Sequence, residues 1–189
     1  MKEDFRSLFK DNPIVAGIKD DTGLENVLQS SCDIVFVLYG DICNIGTIVD
    51  RVKSAGKYAF VDVDLVKGTS SKEIVVDFIK QVTKADGIIS TKGPIIKAAK
   101  AQGFFTIHRF FLVDSFSFHS LPKQIETSIP DCIEILPGCM PKVISWVRDI
   151  VNVPIIAGGL VCEKDDVVAA LKAGAVSICS TSTDIWDNV

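Results

Sequence analysis

The sequence is poor in several features that would otherwise direct the search for function. It has only two histidines, and its six cysteines (32, 43, 132, 139, 162 and 179) include no pair closer than seven residues. There is no C-x-x-C element, so a structural zinc site has little support. No apolar run approaches the ~18 residues that span a bilayer, and no membrane partner is expected. Positive charge is also in deficit, with 20 Lys and Arg against 24 Asp and Glu, a net charge of −4 and a pI of 5.2. That balance excludes coating of nucleic acid by bulk charge and requires any nucleic-acid surface to be local. The first ten residues, Met1 to Lys10, are charged and hold no apolar core of a secretory signal, so the expected compartment is the cytoplasm. Disulfides are not expected there. Cys32, Cys132 and Cys179 lie at or inside apolar runs, where cysteine acts as a small hydrophobe. No linker, low-complexity segment or charge run divides the chain, and 189 residues with 48% apolar content fit one domain over 1–189.

What is present is an alternation. Short β-branched runs start near Ile14, Asp33, Tyr58, Gly87, Phe104, Cys132, Pro154 and Val176, and their near-continuous apolarity is that of parallel strands covered on both faces. Amphipathic stretches lie between them. Asp21 to Ser30, Asn44 to Ala55, Ser71 to Val82, Pro94 to Gln102, Pro141 to Val151 and Glu163 to Ala173 carry apolar residues at helical spacing, with Ser71 read as a cap. Gly56, Gly103 and Gly174 follow three of them as stops. Eight such units predict an α/β fold, a minimal (β/α)8 TIM-like barrel with a vestigial eighth helix, since only Asp184 to Asn188 remains for that helix. The alternative is a doubly wound open sheet, disfavoured by the lack of G-x-G-x-x-G after the first strand.

In such a barrel, function gathers at the C-terminal ends of the strands. The seventh and eighth runs end in Gly158-Gly159 and in Ser180-Thr181-Ser182. Paired small-residue loops there offer backbone N–H groups to an anion, and these five residues are the candidate phosphate site. The other strand ends supply Lys19, Asp62, Asp64, Arg109 and Glu134. Lys19 and Arg109 suit a phosphate or polarised hydroxyls, while the three acids accept from hydroxyls or hold a divalent cation. Asp62, Asp64 and Glu134 interrupt apolar runs, where a carboxylate is costly without a partner. His108 reads more readily as a core histidine than as a catalyst, and His119 as surface.

The segments VAGIKD (15–20), DVDLVKG (62–68), DGIISTK (86–92), HRFFLVDS (108–115), CIEILPGCMPK (132–142), IIAGGLV (155–161) and SICSTS (177–182) occur in one order along nearly the whole chain. This set resembles the bacterial glycerol uptake operon antiterminators, which respond to glycerol 3-phosphate. The resemblance implies a TIM-barrel-like regulator that binds glycerol 3-phosphate and acts on the leader mRNA of glycerol-utilisation genes, with no enzyme activity and no cofactor. One departure is that family members often read H-I-D-L where this chain has Val61-Asp62-Val63-Asp64-Leu65; another is that glutamine often stands at His108. The oligomeric state is left open, a homodimer being one option.

A second reading is a barrel enzyme on a small phosphorylated substrate, isomerase-like or glycerophosphodiesterase-like. In it Glu134 and Asp64 act as acid and base or metal ligands, and Arg109 as the electrophile. For RNA, the acid-free stretch holding Lys92, Lys97 and Lys100 is the candidate patch, against the plainer reading of a solvated helix face.

Overall fold

The computed structural model describes residues 5–188. Eight strands, β1 (Ile14–Ile18), β2 (Ile34–Val37), β3 (Tyr58–Asp62), β4 (Gly87–Ser90), β5 (Phe105–Phe111), β6 (Cys132–Leu136), β7 (Ile155–Gly158) and β8 (Ser177–Ser180), pair in sequence order. Every pairing is parallel, and β8 closes on β1 through Ile14 opposite Ile178. The helices are α1 (Phe5–Asp11), ahead of the first strand, then α2 (Asp21–Gln29), α3 (Ile45–Ser54), α4 (Ile74–Val82), α5 (Gly93–Ala101), α6 (Ser115–Ser128), α7 (Pro141–Ile150), α8 (Lys164–Ala173) and α9 (Thr183–Asn188). The expected closed (β/α)8 barrel is the observed fold, and α9, after β8, is a six-residue stub.

Alternation along each strand produces two separate apolar cores. Residues facing outward, such as Val35, Val61, Ile88 and Ile133, pack beneath the helices. Residues facing inward, Val15, Ile34, Phe36, Phe60, Ile89, Phe105, Ile107, Cys132, Ile156 and Cys179, fill the barrel. Helix α1 supplies Phe9, fully buried, to the N-terminal end of that interior. Its ring lies 5.3 Å from Phe60, 5.6 Å from Phe105 and 6.2 Å from Phe36. The Ser177 hydroxyl donates to the Phe9 carbonyl at 2.5 Å and holds the plug in place.

Three local features differ from the sequence expectation. Helix α4 begins at Ile74 rather than Ser71, with Glu73 at the cap position and no side-chain cap bond. The run from Tyr58 to Leu65 does not stay in the sheet. Strand β3 ends at Asp62, and the chain turns so that Leu65 N–H bonds the Asp62 carbonyl. Helix α6 covers the Ser- and Phe-rich stretch, which carries little helical periodicity. It forms because Asp114 accepts from Ser117 N–H at 2.7 Å while the Ser117 hydroxyl lies 3.2 Å from Asp114 N–H, a reciprocal cap.

Candidate functional site

Along the inward face, β3 reads Tyr58, Phe60, Asp62 and β5 reads Phe105, Ile107, Arg109. The polar positions all fall at the C-terminal end, one layer above the aromatic plug. There Arg109 lies between two carboxylates: its Nε donates to Glu134 Oε2 at 2.7 Å and its Nη1 donates to Asp62 Oδ2. All three side chains are buried. Burial opposes the Arg109 charge, yet Glu134 and Asp62 more than offset it, and its pKa is held above the ordinary arginine value. For Asp62 burial dominates: with Glu134 and Asp64 adding to it, and Arg109 opposing, its pKa is pushed up to about 6. Burial raises Cys179 well above a normal thiol, with the charge of Glu134 and a hydrogen bond to it adding to the effect. Two acids against one guanidinium leave a buried surplus of negative charge.

Above this layer opens a cavity of about 350 Å³. Arg109 and Glu134 form its floor, segments 159–162 and 179–182 its walls, and Leu38 and Leu136 its apolar sides. The two loops that the sequence singles out do come together here. Each of their residues has a distinct task. Gly158 leaves room for Glu134, since a Cβ there would run into that carboxylate. Gly159, at φ +75°, turns the chain across the opening, and Leu160 follows it in the left-handed region at φ +56°. Among the described residues, the N–H groups of Gly159, Leu160, Val161 and Thr181 make no hydrogen bond, nor do the hydroxyls of Thr181 and Ser182. Ser180 is otherwise engaged. Its hydroxyl donates to the Val161 carbonyl at 2.9 Å and accepts from Ser182 N–H, so it couples the two loops.

The other rim residues separate. Asp62 is sealed beneath Arg109 and does not line the cavity. Asp64, beyond the end of β3, accepts from Ser90 Oγ (3.0 Å), Thr91 N–H (2.7 Å), Thr91 Oγ1 (2.7 Å) and Lys92 Nζ (3.0 Å). Burial raises its pKa, but these donors outweigh it and hold the carboxyl below the usual range. Asp64 therefore pins the β3 and β4 loops together and stands apart from Glu134. Lys19 is exposed and lines a neighbouring pocket of about 480 Å³ with Tyr39, Asp41 and Lys67, which meets the first only at Leu38. Among the described residues no group of three His, Cys, Asp or Glu side chains is placed to hold a metal ion.

His108 points the opposite way from Arg109, out toward the helices, and is fully buried. Its Nε2 donates to the Thr91 carbonyl at 3.2 Å, and its Nδ1 lies 2.9 Å from Ser128 Oγ, which is also 2.8 Å from the Gln124 carbonyl. Burial keeps its pKa below the ordinary histidine value. Of the lysines in the candidate RNA patch, Lys92 is bound to Asp64 and Lys100 bonds Asp131 (3.0 Å) and the Ile129 carbonyl (2.7 Å). Lys97 makes no ion pair among the described residues.

A family model described as glycerol-3-phosphate responsive antiterminator matches residues 14–186. The chain belongs to that family. A protein of Escherichia coli (strain K12), uncharacterised protein YgcP, is 54% identical over 179 residues, covering 95% of this chain and 94% of that one. Among solved structures, the glycerol uptake operon antiterminator regulatory protein of Listeria monocytogenes str. 4b F2365 superposes with a TM-score of 0.91 at 27% identity, covering 95% of this chain and 97% of its own. A glycerol uptake operon antiterminator-related protein of Thermotoga maritima MSB8 gives a TM-score of 0.82 at 34% identity, covering 93% and 98%. In this chain, the match begins at the first residue of β1 and ends within α9, so it takes in every strand that builds the cavity. From β3, Asp62 closes the Arg109 layer.

Proposed function

We propose that this antiterminator binds glycerol 3-phosphate in the 350 Å³ cavity at the barrel mouth and, so loaded, acts on the leader mRNA of glycerol-utilisation genes. The observation that carries this reading is the set of free donors in two facing loops, directly above a charged floor. The phosphate lies against the N–H groups of Gly159, Leu160 and Thr181 and the hydroxyls of Thr181 and Ser182. The two glycerol hydroxyls reach the floor, where Glu134 accepts and the Nη2 of Arg109, which has no partner among the described residues, donates. Asp62 acts beneath them by holding Arg109 in place. A cavity of this size suits a ligand of about ten heavy atoms and is tight for a nucleotide. Effector binding draws the two loops together and shifts the population toward an RNA-competent form. This reading needs no cofactor and places the protein in the cytoplasm, where the leader is transcribed.

The enzyme reading loses its acid–base pair. Asp64 is committed to Ser90, Thr91 and Lys92, and Glu134 is committed to Arg109. The test is calorimetric titration with glycerol 3-phosphate, glycerol and inorganic phosphate, followed by transcription through the leader terminator. Glycerol 3-phosphate should bind at least tenfold tighter than either fragment and raise read-through. Gly159→Leu should lose about 100-fold in affinity, since its side chain would press on Leu136 in the cavity wall and shift the turn that presents the N–H groups, and about 1–2 kcal/mol in stability, because φ is positive there. Normal effector affinity in that variant would move the site elsewhere, and turnover of a phosphodiester without leader recognition would reverse the reading.

A further inference from the structure

Helices α5 and α6 do not close fully over β5. Between them runs a groove of about 670 Å³, on the flank of the barrel and separate from the effector cavity. Pro94, Ala98 and Ala101 make one apolar wall, and Thr127 with the Gln124 stem makes the other. Lys97 stands on one rim and Lys123 on the facing rim. Neither makes an ion pair or a side-chain hydrogen bond among the described residues, whereas Lys80, Lys92 and Lys100 nearby are all engaged. Among the described residues, Glu73 at one end is the only acid that lines the groove.

We propose that this groove holds an unpaired base of single-stranded RNA, with the flanking phosphates on Lys97 and Lys123. The proposal rests on the reading that the protein acts on RNA, and it names the surface. A largely apolar groove with a cation on each rim matches a nucleobase between two phosphates. An apolar peptide would leave both lysines unused, and a duplex cannot enter a slot between helices. His108 forms the floor with both ring nitrogens already bonded, so it sets the depth of the slot and does not read the base. Beyond α6 the track continues. Phe118 packs edge-on against Trp146 at 6.1 Å, and Trp146, 48% exposed, carries Lys142 Nζ over its ring at 5.1 Å from the centre, a further cation on the same side of the barrel.

The groove and the effector cavity share one strand. Consecutive residues of β5 point to opposite sides, Arg109 into the cavity and His108 into the groove floor. A shift of β5 on effector binding is therefore felt on both faces. The hydrogen bond from His108 to Thr91, whose own N–H and hydroxyl hold Asp64, ties the same floor to the β3 and β4 loops.

The experiment uses the full chain and a fluorescently labelled transcript of the leader, with anisotropy read at several salt concentrations, with and without glycerol 3-phosphate. Lys97→Gln with Lys123→Gln should lower affinity roughly tenfold at 0.1 M salt and reduce the salt slope by about 1.4, about 0.7 for each phosphate contact. Ala101→Trp, at an exposed position, should fill the slot and lower affinity by about the same factor with the slope unchanged. Lys164→Gln with Lys172→Gln on α8, an equal charge loss away from the groove, should leave affinity within twofold. Glycerol 3-phosphate affinity should be unaltered in all three. If the transcript binds wild type and both groove variants alike, the groove is not the RNA site and the functional reading stands. If the groove variants bind RNA normally but change the mass seen by light scattering, the groove belongs to a second copy of the chain. If wild type binds glycerol 3-phosphate and no transcript, the RNA reading fails, and this proposal fails with it.

Discussion

At the N-terminal end of the barrel, Phe9, Phe36, Phe60 and Phe105 fill the interior with apolar rings. Further along the same strands, at the C-terminal end, Asp62, Arg109 and Glu134 fill it with charge. Phe60 and Asp62 are two residues apart on β3, and both are buried. The aromatic end stabilises, each fully buried ring contributing roughly 1.5–3 kcal/mol by removal from water. The charged end does not, because desolvating three ions costs about what their attraction returns. An apolar layer there would hold the fold as well. On the proposed reading the charge serves the ligand, which segregates stability from recognition along the length of single strands.

Removing the cation should show this contrast most strongly. Arg109→Met leaves two buried carboxylates facing each other and should cost about 3–5 kcal/mol at pH 8 by urea denaturation, with loss of effector binding. The cost should shrink at pH 5, where Asp62 takes up a proton. An equal loss at both pH values would mean the three groups do not act as a cluster. At the other end, Phe9→Ala should cost about 3 kcal/mol through the cavity it leaves, with glycerol 3-phosphate affinity within twofold of wild type. A large affinity loss there would show that the two ends are coupled.

The pH dependence of stability sharpens the comparison further. Asp62 is raised in the folded state to about 6, from 3.8 unfolded. The folded protein therefore binds the proton more tightly, and the stabilisation present below pH 4 is lost as pH rises through about 6, by at most about 3 kcal/mol. Asp62→Asn should lack this slope when denaturation is followed from pH 4 to 8. The smallest effect belongs outside the barrel: Lys100→Gln, breaking a partly exposed pair with Asp131, should cost less than about 1 kcal/mol in the same assay.

The eight strands, their parallel order and the stub after β8 are legible in the sequence because buried parallel strands write themselves as continuous β-branched runs. Helix α6 is not, since its start depends on the reciprocal Asp114–Ser117 cap, with apolar spacing contributing little; the Asp-x-x-Ser pattern is the signal that could have found it. Nor is α1, whose purpose becomes visible only when Phe9 is seen inside the barrel. At the site, the loops at Gly158-Gly159 and Ser180-Thr181-Ser182 are readable as small residues after strands seven and eight. The free N–H groups of Leu160 and Val161 carry no side-chain signal at all, because any residue supplies an N–H and only the turn decides where it points.

The sequence by itself determined the barrel and the family, since both depend on residue type and order along the chain. Which acids share the cavity was decided only by the tertiary structure. Asp62 and Asp64 are indistinguishable in an alternating run, yet β3 stops at the first. Asp62 remains in the barrel under Arg109, while Asp64 turns out to four donors at the end of β4 and in the loop after it. The same holds for Lys92, Lys97 and Lys100, equivalent by composition and separated by what lies within reach of each ammonium. A charge in a sequence has a sign; its partner, and therefore its role, depends on distances that only the folded chain sets.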